Sequence, residues 1–147
     1  MNLYCLFIVF FLPYPIQQDL PQFVDEYHKI SSKEEELGFI NKYQSSKEVK
    51  IKAYVVSLKM KQAKYKIFPW QKLSIFNTER KKLNKLIKMN PKNIHLRYIR
   101  LLSQENTPKF LGYNNFIKED KEFLKSILKI KDKTDYLDRF IVKNTSL

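Results

Sequence analysis

Leu20, Phe23, Val24 and Tyr27 stand three, four and seven positions apart, the spacing of one face of an α-helix. The rhythm predicts a first helix over about 19–29. Ser32, with Glu35 three residues on, forms a capping box and opens a second helix carrying Leu37, Ile40 and Tyr43. "SSKE" at 45–48 starts a third, over about 47–66. Pro69 breaks the chain and suits the first turn of a fourth helix, 69–88. "MNPKN" separates that from a fifth at 92–104. "NTPKFLGYNN" is a longer connector, and helices over about 115–130 and 133–143 complete the pattern.

The third helix carries two apolar stripes. At about 100° per residue, Val49, Ala53, Val56, Met60 and Ala63 form one face, with Ile51, Tyr54, Leu58 and Tyr65 nearly opposite. Lys50, Lys61 and Lys64 run along one seam, and Lys52, Lys59 and Lys66 along the other. A helix apolar on two sides is sandwiched between neighbours, its lysines reaching water along the seams. The expected fold is therefore all-α: a small bundle or irregular α-α hairpin array of six to seven helices. "MNPKN" resembles the turn between tetratricopeptide units, yet no period of about 34 residues follows it.

The stretch "LYCLFIVFFLPYPI", 3–16, holds no charge and is short of the roughly 20 residues a spanning helix needs. It reads as a signal peptide cleaved near Gln17 to Asp19, with an uncleaved N-terminal anchor and a buried core segment as alternatives. Residues 1–18 are thus set apart from one helical domain over 19–147. Cys5 is the only cysteine and lies inside this stretch, so a processed chain would have neither disulfide nor thiol chemistry.

Composition is ordinary for a globular chain, with 44% apolar and 29% charged residues. The net charge of +13 is not evenly spread: residues 51–100 hold fourteen basic side chains and one acid, Glu79. Such a field suits a solvated lysine surface, an anionic membrane surface, nucleic acid or an acidic protein partner.

The tracts "AYVVSLKMKQAKYKIFPWQKLSIFN" and "NPKNIHLRYIRLLSQENTPKFLGYNNFIKED", within about 53–124, resemble a family of small exported helical proteins of the Bacteroidota. The most specific part is "LRYIRLLSQENTPKFLGY". The resemblance implies a signal peptide and an all-helical mature domain, and it supplies no catalytic residue.

The search for chemistry turns up no catalytic constellation. His28 and His95 are far apart, and no zinc-type spacing, Gly-rich phosphate loop or nucleophile elbow is present. No cofactor and no metal is called for. His95, beside Ile99 and Leu102, reads as a hydrogen-bonded packing residue. On the fifth helix Ile94, Tyr98, Ile99, Leu101 and Leu102 make the buried arc, with Arg97, Arg100 and Gln104 clustered on the other side. Arg80 falls at the edge of the Leu73, Phe76, Leu83, Ile87 stripe. Asp120 falls within the stripe of Phe116, Ile117, Phe123, Leu124 and Ile127.

A carboxylate in that position is costly to desolvate alone, so it needs an arginine: Arg97, Arg100 or Arg80. The cluster is expected to clip two helices together; the alternative is an anion pocket of Arg97, Arg100 and Gln104. The functional reading is a non-catalytic exported scaffold of the cell envelope, with an envelope protein as partner. The alternative is a module binding polyanions or nucleic acid through 51–100, and nucleic acid is disfavoured if the chain is exported.

Overall fold

The computed structural model describes residues 19–147; the stretch 3–16, read as a signal or anchor, lies outside them. Seven α-helices follow one another: α1 (Gln22–Lys29), α2 (Lys33–Tyr43), α3 (Val49–Lys61), α4 (Pro69–Met89), α5 (Ile94–Glu105), α6 (Ile117–Ile127) and α7 (Asp138–Asn144). No strand occurs among the described residues. The all-α array expected from the apolar spacing is the fold observed.

Local chemistry sets most of the boundaries. Ser32 accepts from the Glu35 amide while the Glu35 carboxylate takes the Ser32 amide, the reciprocal capping box. Pro69 occupies the first position of α4, where its missing N–H is no loss. Asn93 caps α5 through the Leu96 amide. The third and seventh helices are shorter than their apolar pattern predicts. A tight 3-10 turn at Gln62–Tyr65 ends the third, and another at Asp135–Leu137 precedes α7. Gly112 sits at φ 61°, a left-handed turn open to glycine, where the connector swings toward α6.

As its two stripes predict, α3 is central, packing on α2, α4 and α5, while α5 also packs on α6. One apolar core draws on every helix, from Phe23 and Val24 to Leu137 and Ile141. Tyr54 of α3 and Tyr98 of α5 are buried completely. Tyr54 meets Tyr27 and Phe23 edge-on, with ring centroids 4.8 and 5.2 Å away.

Three expectations need correction. Leu37 and Leu73 are exposed rather than core residues. On α2 the inward face is Glu36, Phe39, Ile40 and Tyr43, so Glu36 takes the place the pattern gave to Leu37. It is buried, and Gln62 (2.5 Å), Lys61 (2.8 Å) and Lys64 (3.2 Å) close around its carboxylate. Nor does α5 have an outer side: residues 94 to 101 are buried without interruption.

Both histidines lie within aromatic surroundings. The His95 ring bridges two tyrosines, Nδ1 at 2.8 Å from the Tyr54 hydroxyl and Nε2 at 2.9 Å from that of Tyr136. His28 stacks on Phe140 at 4.2 Å and meets the Tyr98 hydroxyl at 3.3 Å. Burial, with the nearby Lys50 charge, pushes the His95 pKa down to about 4. Burial and the charges of Lys143 and Arg139 lower His28 to about 4, against the opposing pull of Asp25. Both are therefore neutral in the fold and gain a proton on unfolding near their ordinary value of 6.5.

Acid sensitivity follows directly. Stability is complete above pH 6.5 and declines as pH falls toward about 4, because the unfolded chain binds the extra protons. His95 alone contributes a slope of at most about 1.4 kcal/mol per pH unit in that window. Denaturant melts at pH 7.5, 6 and 5 measure it, and His95→Gln should flatten the curve. A profile level between pH 7.5 and 5 would contradict the buried neutral rings.

Candidate functional site

The polar cluster foreseen on the fifth helix is built where α6 crosses α5. Phe116, Glu119, Asp120 and Phe123 fall on one side of α6, three and four residues apart. Asp120 and Glu119 also stand in the first turn of α6, where the helix dipole favours negative charge. Asp120 is fully buried.

Arg100 holds Asp120 with two bonds, Nε to Oδ2 at 2.6 Å and Nη2 to Oδ1 at 2.7 Å. Arg97 Nη1 adds a third at 2.9 Å to Oδ1 and also reaches the Glu119 carboxylate. Its Nε donates to the Pro91 carbonyl at 2.9 Å, tying in the "MNPKN" turn. Each guanidinium is backed by a ring of α6: Arg100 lies 4.1 Å from the Phe116 centroid and Arg97 5.2 Å from that of Phe123. Burial alone would lower the Arg97 pKa, yet Glu119 and Asp120 hold it above its ordinary value. The Arg97 bond likewise keeps Glu119 below the usual carboxylate range.

Arg80 does not join them. Both Asp120 oxygens are already occupied, and Arg80 lies instead between the rings of Phe76 and Tyr113, 5.7 Å from each. Its guanidinium reaches the Leu111 carbonyl at 3.5 Å, so it steadies the connector. Gln104 is separate as well. It is buried one turn beyond Arg100, and neither atom of its amide has a hydrogen bond of ordinary geometry. It lines a cavity of about 600 Å³ at the end of α5, with Tyr113, Thr107, Pro108, Asn114 and Ile117. Burial pushes the Tyr113 hydroxyl, beside that amide, up to about 12.

The anion between the two arginines is thus the chain's own Asp120. No guanidinium is left vacant there for a phosphate or carboxylate, whereas the Gln104 amide keeps one donor face and one acceptor. Two buried acids escaped the sequence reading. Glu36 has been described; Glu79 is buried on α4, with Oε1 at 2.6 Å from Lys82 and Oε2 without a partner. It lines a groove of about 310 Å³ with Lys52, Lys59 and Lys85. Its place three residues after Phe76 and four before Leu83, on the apolar stripe, was the available signal. Among the described residues no three His, Cys, Asp or Glu side chains gather as a metal site.

No known protein family, curated protein or solved structure matches this chain. Its site must be read from its own geometry.

Removing Asp120 leaves two buried guanidinium groups without their main partner. Asp120→Ala should cost about 3–5 kcal/mol of stability, and Arg100→Ala a comparable amount. The double variant should cost less than the sum of the singles, since both remove one shared pair. Arg80→Ala should cost under about 1 kcal/mol. Denaturant melts decide it, and near-zero, additive shifts would show that the cluster does not hold α5 to α6.

Proposed function

We propose that this protein is a non-catalytic helical scaffold of the cell envelope that presents its basic middle third to a partner. The observation that carries the reading is the distribution of charge on α4. Lys72, Lys81, Lys85 and Lys88 are exposed there without an ion-pair partner among the described residues. The one acid of 51–100, Glu79, is buried beneath them.

The interior supports the same reading from the other side. Asp120, Arg97 and Arg100 bind one another across α5 and α6, and Glu36 is closed in by Gln62, Lys61 and Lys64. These buried charges are engaged in joining elements, which is what a scaffold asks of them; Glu79, paired with Lys82 of its own helix, is the exception. Placement at the envelope rests on the apolar 3–16 segment and on the likeness of 53–124 to small exported proteins. No helix among the described residues is long and apolar enough to cross a membrane.

The second reading, a polyanion- or nucleic-acid-binding module, draws on the same lysines. Cell fractionation with N-terminal sequencing tests the first: the protein should appear in the periplasm or with membranes. Full-length chain soluble in the cytoplasm would overturn the envelope placement and favour the second reading. Heparin retention should weaken steadily as salt rises, because exposed lysines are screened. Retention unchanged at high salt would point to a specific site in place of the diffuse surface.

A further inference from the structure

The chain between α3 and α4 is unlike the rest of the surface. Residues 64 to 74 are all exposed, and half of them are apolar or aromatic by nature. Of the ten large apolar side chains that stand exposed among the described residues, five lie here: Tyr65, Ile67, Phe68, Trp70 and Leu73. Ile67 is 84% exposed and Trp70 65%, so most of their surface meets water. Phe68 and Trp70 stack face to face at 4.6 Å and 14°, a flat aromatic slab at the apex of the α3–α4 hairpin. Leu73 follows one turn after Trp70 on the same face of α4.

The apex is held in shape. The 3-10 turn Gln62–Tyr65 runs into it and Pro69 opens the helix on its far side. Lys64 is anchored to Glu36 and lies over the Tyr65 ring at 4.6 Å. A preset turn exposes these side chains; they are not a loose end. Lysines flank the slab on both sides, Lys66 before it and Lys72 after it, both exposed. No acid occurs anywhere from 49 to 78.

We propose that this hairpin apex docks on an anionic phospholipid surface, with Trp70, Phe68 and Ile67 entering the interfacial layer and Lys66 and Lys72 meeting the headgroups. The pairing of amphipathic rings with flanking lysines is the chemistry of a membrane–water interface. The charge is complementary to anionic lipid, and the acid-free stretch around it offers no competing repulsion. The slab stands at an apex, a shape suited to shallow insertion into a soft layer, whereas a protein partner would need a matching concavity. The proposal rests on the envelope reading only for which membrane is met; the vesicle experiment tests the apex by itself.

Trp70 is the only tryptophan of the chain, so intrinsic fluorescence reports this site and no other. The full-length protein is titrated with vesicles of phosphatidylglycerol and phosphatidylcholine, and in parallel with phosphatidylcholine alone and with heparin. Emission should shift to the blue with the phosphatidylglycerol vesicles and be quenched by acyl chains brominated near the headgroup. The pure phosphatidylcholine arm should shift little, and heparin should bind without a blue shift.

Ile67→Ser with Phe68→Ser should weaken vesicle partition about tenfold or more without lowering the thermal melt, since Ile67 is 84% exposed and serine suits the N-cap position that Phe68 holds on α4. The pair Lys66→Gln and Lys72→Gln should reduce the dependence on anionic lipid several-fold. Four results would overturn the proposal. The first is no shift with anionic vesicles, and the second an equal shift with heparin. The third is vesicle binding in which the lipid quencher never reaches Trp70, which assigns the contact to residues elsewhere, such as 3–16. The fourth is a free protein whose Trp70 already emits as a buried residue, which means that a protein surface or the chain itself covers the apex.

Discussion

Helix α5 has no side facing water, and much of the architecture answers that constraint. Eight consecutive residues, from Ile94 to Leu101, are buried, among them His95, Arg97 and Arg100. A polar group taken out of water must find partners inside, or the fold loses several kcal/mol for each one left alone. Each partner therefore arrives from a different element: Tyr54 from α3 and Tyr136 from the turn before α7 for His95, and Asp120 from α6 for both arginines. The polar groups of one helix dictate where three other segments must lie. Apolar packing alone tolerates sliding; these bonds do not, because their lengths and directions allow one arrangement.

The cluster at Asp120 also shows how a large charge can be buried without isolation. Its two oxygens receive three guanidinium bonds, and the guanidinium faces rest on Phe116 and Phe123 of the same helix. The rings shield the pair from water while leaving its edges free for hydrogen bonds. Glu119, half in solvent, takes up what Arg97 has to spare.

How much of this could be read from the residues depended on whether a position violated its own pattern. Asp120 stood in an apolar stripe and so demanded a cation; the structure supplies Arg97 and Arg100. The capping box at Ser32 and Glu35 was legible because its chemistry is local. Glu36 was hidden by its neighbours: inside "KEEEL" it looked like one more solvated acid, although it shares a face with Phe39, Ile40 and Tyr43. Arg80 was misplaced because periodicity gives a side chain's direction and not its reach: it lies between two rings and forms no ion pair among the described residues. Gln104 shared a helical face with the arginines, yet the cavity beside it is made by the connector, which no periodic pattern describes. The α3–α4 apex was marked in the sequence only by the break at Pro69; that Ile67, Phe68 and Trp70 stand outside follows from the turned backbone, which no periodic pattern describes.

The burial of Glu79 changes what a partner meets on this protein. The acid-poor middle third hides its only carboxylate beneath α4 and spends it on Lys82, so the remaining lysines see no fixed negative charge of their own segment. For Lys72, Lys81, Lys85 and Lys88, which have no ion-pair partner among the described residues, mobile anions supply the counter-charge in solution, and a polyanion would bring its own cloud of cations. Were two such surfaces to meet, both sets of small ions would return to the bulk, and their entropy more than heat would drive the association. A surface of this kind is calorimetrically quiet: its affinity is set by the concentration of salt around it and depends little on temperature.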